Sequence, residues 1–218
     1  MDIFLEWFGS KGHMSRRKAT DVFSEWASKG KDEGMERGHA ASVLEMLKFA
    51  GIPRTQPYSA IDVGCGNGWV CRTVASDPMC KHVSGVDGSP TMIEKAVLTD
   101  PSGSYFHGYL PEWKPETAVD LLHSMEFLYY LHDPAAMLKI FHDSWLNSGG
   151  IIVAGVDHYL ENEDSHSWPD ALNVHMTTLS VEQWKRAMIE AGFIDVEMHR
   201  VGLKEGFVGT LAMVGRKQ

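Results

Sequence analysis

Apolar positions along the chain change period twice. Within residues 15–30 they fall at helical spacing, with Val22, Phe23, Trp26 and Ala27 on one face. A polar stretch punctuated by glycine, KGKDEGMERGH (residues 29–39), then reads as a loop. Val43, Leu44, Leu47, Phe49 and Ala50 form a second amphipathic helix, which Gly51 and Pro53 end. From Tyr58 onward short apolar runs take over. YSAIDV (58–63), HVSGVD (82–87), SYFHG (104–108), AVDLLHSM (118–125) and GGIIVAGVD (149–157) read as strands. Helices are predicted between them at 69–76, from Ser89 with Pro90 at its first position, and over 134–146 behind Asp133. A last helix, 180–191, is ended by Gly192.

FIDVEMHRV and FVGTLAMVGR then follow with no helix between them, which predicts an antiparallel hairpin. Strands separated by crossover helices and closed by a hairpin predict an α/β fold. The expectation is a Rossmann-like, doubly wound, mostly parallel seven-stranded sheet with a C-terminal antiparallel hairpin. With 218 residues the chain supports one domain. It is expected to divide into a helical cap (15–57) and an α/β core (58–218). The first 14 residues stand apart, and two readings stay open for them. Ile3, Phe4, Trp7 and Phe8 can share a helical face, while GSKGHM resembles a cloning remnant.

Composition narrows the function classes. A net charge of −9 argues against nucleic acid and anionic membrane as partners. No apolar run approaches the ~18 residues of a bilayer span, and the N-terminus lacks the basic region of a signal peptide. Three cysteines, Cys65, Cys71 and Cys80, form no CxxC pair, which suits a reducing compartment and points to the cytoplasm. The oligomeric state is left open.

The chemistry-bearing stretch is DVGCGNGW (62–69), a glycine turn between the first strand and its helix. In a doubly wound sheet this turn lies at the ligand crevice. Asp87 ends the second strand, where a carboxylate accepts both hydroxyls of a ribose. Turn and acid together indicate an adenosine-containing cofactor. The dinucleotide fingerprint G-x-G-x-x-G is not matched, because Gly64, Gly66 and Gly68 run G-x-G-x-G. Asp62 stands two residues before the first glycine. A carboxylate there repels a pyrophosphate but favours a ligand carrying an ammonium and a sulfonium.

AIDVGCGNGW resembles motif I of the class I S-adenosylmethionine-dependent methyltransferases. VSGVDGSPTMIEKA resembles their second motif, VDLLHSMEFLYYLHDP their fourth-strand segment and LNSGGIIVAG the turn into their fifth strand. The resemblance runs from about Ala41 to Arg216. It implies S-adenosylmethionine as cofactor, with S-adenosylhomocysteine as product. Gly64, Cys65, Gly66 and Gly68 would surround the methionine moiety, and Asp62 would face its ammonium. Asp87 would bind the ribose, with Gly88 and Met92 flanking the adenine. Ser124 and Met125 would border the sulfonium, and Arg37 would meet the methionine carboxylate. One departure is visible. Gly108 and Tyr109 occupy the place after the third strand where many members have an Asp, so adenine is expected to rest on backbone groups, Tyr109 or Leu110.

Methyl transfer is an in-line displacement at a sulfonium carbon, so the protein mostly aligns the nucleophile and excludes water. A base is needed only for a protonated nucleophile. Residues after the fourth and fifth strands therefore matter most. Glu126 is placed to orient an acceptor. His158 is expected as the general base, with Asp157 or Glu161 second. Tyr159, His166 and Trp168 are expected to line a lid within the long stretch after the fifth strand. Tyrosines replace the second acid and histidine that hold a metal in some quinone O-methyltransferases. Asp157, His158, His166 and His175 match no ligand spacing either, so no metal is expected. The expected function is methyl transfer to an N, O or S nucleophile of a small polar metabolite. The alternative is a non-catalytic binder of the same cofactor.

Overall fold

The computed structural model describes residues 16–218, so both readings of residues 1–14 lie outside the described residues. Two helices, α1 (Ala19–Ser28) and α2 (Asp32–Phe49), precede the sheet. The expected loop at 29–39 is only a short turn, because α2 starts at Asp32. Gly34 and Gly38 each cost a helix roughly 1 kcal/mol. Asp32 and Glu33 at the positive N-terminal end, together with burial of Val43, Met46 and Leu47, offset that cost.

The strands are β1 (Tyr58–Val63), β2 (Cys80–Asp87), β3 (Ser104–His107), β4 (Val119–Met125), β5 (Leu146–Val156), β6 (Ile194–Val201) and β7 (Thr210–Arg216). They form one sheet in the order β3-β2-β1-β4-β5-β7-β6. The first five run parallel, and β7 pairs antiparallel with both β5 and β6. The expected topology and terminal hairpin are both present. Helices α3 (Trp69–Ala75), α4 (Pro90–Thr99), α5 (Pro134–Ile140), α6 (Trp168–Leu172) and α7 (Val181–Ala191) complete the chain.

Local signals work as their chemistry predicts. Ser89 caps α4 by accepting from the Met92 amide, and Pro90 follows it. Asp133 caps α5 through the Ala136 amide. Ser180 and Gln183 form a capping box on α7, and Gly192 closes it at φ 109°. The helix expected over 134–146 is shorter, since Phe141–Trp145 widens into a π turn and β5 begins at Leu146.

Strand order reverses between β1 and β4, the place where such sheets open a crevice at their carboxyl ends. There Val63 lies beside Ser124, and Met125 beside Gly155. The residues just past β1, β4 and β5 are therefore neighbours. Two apolar layers hold this frame. One packs Trp145, Trp184, Tyr129 and Phe141 beneath the sheet, and the other seats Met46, Leu47 and Val70 against Leu121 and Val153.

Candidate active site

A cavity of about 1120 Å³ opens at the switch point, bounded by α1, α2 and the turns after β1, β2, β3 and β4. Ligand clefts usually measure about 300–1,000 Å³, so this one has room for a cofactor and a second small molecule.

The glycine turn forms its floor. Gly64, Cys65, Gly66, Asn67 and Trp69 line it, as do Asp62, Asp87, Gly88, Met92 and Tyr109. Gly64 has φ 75°, and a Cβ there would stand 2.9 Å from that of Phe127, so it lets the turns after β1 and β4 approach. Gly66 has φ 52° and open space on its cavity side, with Met92 Sδ at 3.9 Å the nearest atom to an added Cβ. Gly68 does not line the cavity. Its missing side chain admits the Tyr105 ring, 2.5 Å from where a Cβ would be. The Cys65 thiol is buried against Cys71 and Gly85, which raises its pKa and leaves it a packing group.

Asp87 Oδ2 accepts from the Gly66 amide at 2.9 Å, and Oδ1 accepts from Ser89 N at 2.8 Å. Burial raises its pKa, against the pull of these two amides. The Asp87 carboxylate thus ties the first and second motifs together. Asp62 Oδ1 pairs with Nδ1 of buried His123 at 2.6 Å. Tyr109 is half exposed, with Lys18 Nζ 5.9 Å from its ring centre, and offers an aromatic face where the family acid is missing.

Besides Gly68, two residues expected beside the cofactor lie elsewhere. Ser124 is buried within the sheet and donates to the Val63 carbonyl. Arg37 is exposed and pairs with Glu33 at 3.7 Å. On α2 the cavity face carries Asp32, Met35, Glu36 and His39, at helical spacing, and Arg37 falls off that stripe. Asn67 Nδ2 reaches both Asp32 and Glu36, and Lys95 Nζ pairs with Asp32 at 2.6 Å. These bonds fasten the glycine turn to α2.

The opposite wall is built from three distant stretches. Glu126, the first residue past β4, has left-handed backbone at φ 57°, a conformation that costs a non-glycine residue about 1–3 kcal/mol. Its Oε1 accepts from the Asp157 amide at 2.5 Å and its Oε2 from the Tyr129 hydroxyl at 2.7 Å. Burial, then the charge of Asp157, pushes the Glu126 carboxyl up to about 8. His39 Nε2 stands 3.6 Å from Asp157 Oδ2. Burial works against the His39 imidazolium, but Asp157 and Glu126 outweigh it, and its pKa is raised. Asp157 Oδ1 is buried without a hydrogen-bond partner.

His158, expected as the base, is not at the cavity. Its side chain is fully buried, with Nδ1 on the Ser165 carbonyl at 3.1 Å and Nε2 on Thr178 Oγ1 at 2.8 Å. Successive residues leaving a strand point to opposite sides, so Asp157 turns toward His39 and His158 turns away. Burial also lowers its pKa. Glu161 accepts from the Val181 amide at the start of α7, far from the cluster. The expected lid is likewise absent from the cavity lining. Tyr159 is buried and donates to the Gly209 carbonyl, and His166 contacts the Leu160 carbonyl. His39 was not anticipated as a partner of Asp157, because a loop was expected there. The signal was the 32-35-36-39 stripe.

Residues 21–198 match the family described as the methyltransferase domain. The chain belongs to that family. It is a class I S-adenosylmethionine-dependent methyltransferase fold, and S-adenosylmethionine is the family's cofactor. The cavity fits that cofactor, with a backbone cradle at Gly66 and a carboxylate at Asp87. Among curated relatives, a trans-aconitate 2-methyltransferase of Agrobacterium fabrum is 26% identical over 134 residues, covering 57% of this chain and 52% of its own. One from Methylobacterium radiotolerans is 34% identical over 105 residues, 48% of this chain and 40% of its own. The methyltransferase chain thus spans about half the length of these relatives. A Haloferax volcanii structure, a complex of the Trm112 methyltransferase activator with a methyltransferase, superposes with TM-score 0.78 at 27% identity. It covers 93% of this chain and 99% of that one. Human N-acetylserotonin methyltransferase bound to S-adenosylmethionine shares the fold, with TM-score 0.65 at 17% identity over 91% of this chain and 56% of its own. Among the described residues no helix is long and apolar enough to cross a membrane.

Proposed function

We propose that the chain transfers a methyl group from S-adenosylmethionine to an N, O or S nucleophile of a small polar metabolite. One observation carries this reading. The glycine turn with Asp87, and the wall containing Glu126 and His39, line a single cavity larger than one cofactor requires. When bound, S-adenosylmethionine supplies an electrophilic methyl on a positively charged sulfur.

The chain's own residues divide the remaining work. Asp87 accepts the ribose hydroxyls, and Gly66 gives backbone access beside it. Tyr109, Leu110 and Met92 pack on the adenine. Asp62 adds negative charge near the ammonium. Met125, with Phe127 from the following turn, closes the apolar side of the reaction centre against water. Glu126 and His39 face the acceptor, with Asp157 behind His39. With its carboxyl pushed up to about 8, Glu126 is largely protonated at neutral pH and donates a hydrogen bond to an acceptor oxygen. His39, backed by Asp157, is placed to hold the proton that a hydroxyl or ammonium nucleophile must give up.

Arg16, Lys18, His132 and His175 line the same cavity, and the rings of His132 and His175 stack at 3.8 Å. Arg17 also lines it, so three fixed cations, in a chain of net charge −9, favour an acceptor that bears a carboxylate, while burial and the facing His132 lower the pKa of His175. The trans-aconitate relatives point the same way. The test is a methyl-transfer screen over polar metabolites, read by mass spectrometry, with Asp87→Ala as the blank. Product dependent on Asp87 supports the reading. S-adenosylhomocysteine binding without transfer to any metabolite favours the non-catalytic alternative, or the need for an activator of the kind found in complex with the Haloferax methyltransferase.

A further inference from the structure

His39, Glu126 and Asp157 come from α2, the end of β4 and the end of β5, and they converge where His39 and Glu126 line the cavity, with Asp157 behind them. One ligand-capable atom from each lies within 4.8 Å of the other two. Three observations separate this cluster from an ordinary buried polar contact. First, Asp157 Oδ1 has no hydrogen-bond partner, although the Asp157 side chain is only 9% exposed. Buried carboxylate oxygens usually have a partner, so this one keeps its lone pairs available to a ligand. Second, His39 Nε2 and Asp157 Oδ2 stand 3.6 Å apart. That is too far for a hydrogen bond. It is close to the separation of about 3.4 Å between two ligands held tetrahedrally at about 2.1 Å from one cation. Third, Glu126 adopts left-handed backbone to bring its carboxyl to this point.

We propose that His39, Glu126 and Asp157 form a binding site for one divalent transition-metal cation, Zn²⁺ or Mn²⁺, at the acceptor end of the cavity. The donor set decides the class of ion. One imidazole with two carboxylates suits Zn²⁺ or Mn²⁺, whereas Ca²⁺ requires six or more oxygens. An outer shell is also present. The Tyr129 hydroxyl and the Asp157 amide each donate to Glu126, fixing the orientation of that ligand. Three protein ligands leave a coordination position toward the cavity, where a carboxylate or hydroxyl of the acceptor fits. Binding the cation requires Glu126 ionised and His39 neutral, so a loaded site replaces the proton-holding roles proposed for these two residues, and it rests on the methyl-transfer reading only for what that open position faces.

Mn²⁺ binding to the purified chain, followed by electron paramagnetic resonance, tests the site, with Zn²⁺ as competitor and Ca²⁺ as control. S-adenosylhomocysteine is titrated by calorimetry on the same samples. The expected result is one Mn²⁺ per chain, displaced by Zn²⁺ and not by Ca²⁺. Asp157→Asn and His39→Ala should each weaken it at least tenfold while S-adenosylhomocysteine still binds. Mn²⁺ affinity unchanged in both variants, or no Mn²⁺ binding by a chain that binds S-adenosylhomocysteine, overturns the cation site and leaves the methyl-transfer reading standing. Variant-sensitive Mn²⁺ binding without S-adenosylhomocysteine binding supports the site and overturns that reading instead. If the variants also lose S-adenosylhomocysteine, Glu126→Gln replaces them, since its amide keeps the shape but not the charge.

Discussion

At the donor end of the cavity, neighbours in sequence become neighbours in space. At the acceptor end they do not. Asp62 through Trp69 form one turn, and a hydrogen bond from the Gly66 amide joins it to Asp87 at the next strand end. The wall opposite needs α2, β4 and β5 to be packed before His39, Glu126 and Asp157 meet. A local turn can be inherited as a motif, and its backbone carries most of the binding. A convergent cluster is defined by side chains, so single substitutions can change what it accepts without disturbing the turn.

That difference can be broken at either end. The largest effect is expected from Asp87→Ala. On the proposed ribose assignment it removes two charge-assisted contacts, and it unties Gly66; charged hydrogen bonds contribute about 1.5–3 kcal/mol each. Affinity for S-adenosylhomocysteine should fall 100-fold or more in a calorimetric titration, and unchanged affinity would remove the ribose assignment. His39→Ala should instead slow methyl transfer by roughly 100-fold, the scale of general acid–base or electrophilic assistance. Cofactor affinity should stay within a few-fold. A fully active variant would show that the acceptor wall does not include this residue.

His158→Ala separates packing from chemistry. It breaks two buried hydrogen bonds and should lower unfolding stability by about 1–3 kcal/mol in urea melts. Transfer per folded molecule should be unaltered, and a selective loss of turnover would restore His158 as the base. A further effect concerns pH. Glu126 titrates at about 8 in the folded chain and near 4.5 when unfolded, so between those values the folded state holds more protons. Its contribution is present below about 4.5 and is lost as pH rises through 8. Wild type should therefore lose melting temperature relative to Glu126→Gln as pH climbs from 5 to 8.5. Parallel curves would mean that Glu126 ionises normally.

The contrast between the two ends also explains what could be read before folding. Strand periodicity, the caps at Ser89, Asp133 and Ser180, and the hairpin were legible because each is decided within a few residues. So was the pairing of the glycine turn with Asp87, which rests on one crossover. Gly34 and Gly38 concealed the first two turns of α2, since local propensity opposes a helix that tertiary burial imposes. His39 was hidden with them. Asp157 and His158 were both near the right place, but which one turns toward His39 depends on the pleat at a strand end, where a shift of one residue reverses the answer. Arg37 shows the same sensitivity on a helix. It is two residues from His39 and points into solvent.

Helix α2 has one more consequence. Its 18 residues extend about 27 Å without a break. Three residues beyond His39, Ser42 Oγ meets Thr210 Oγ1 at 2.9 Å and fills the space left by Gly202 in the terminal hairpin. The helix therefore acts as a rigid gauge, referenced to the antiparallel edge of the sheet, that sets how far the imidazole reaches into the cavity. A side chain added at Gly202 would press on Ser42 and shift that reference. The tolerance of the acceptor pocket is thus held by a contact on the far side of the hairpin, where no ligand touches it.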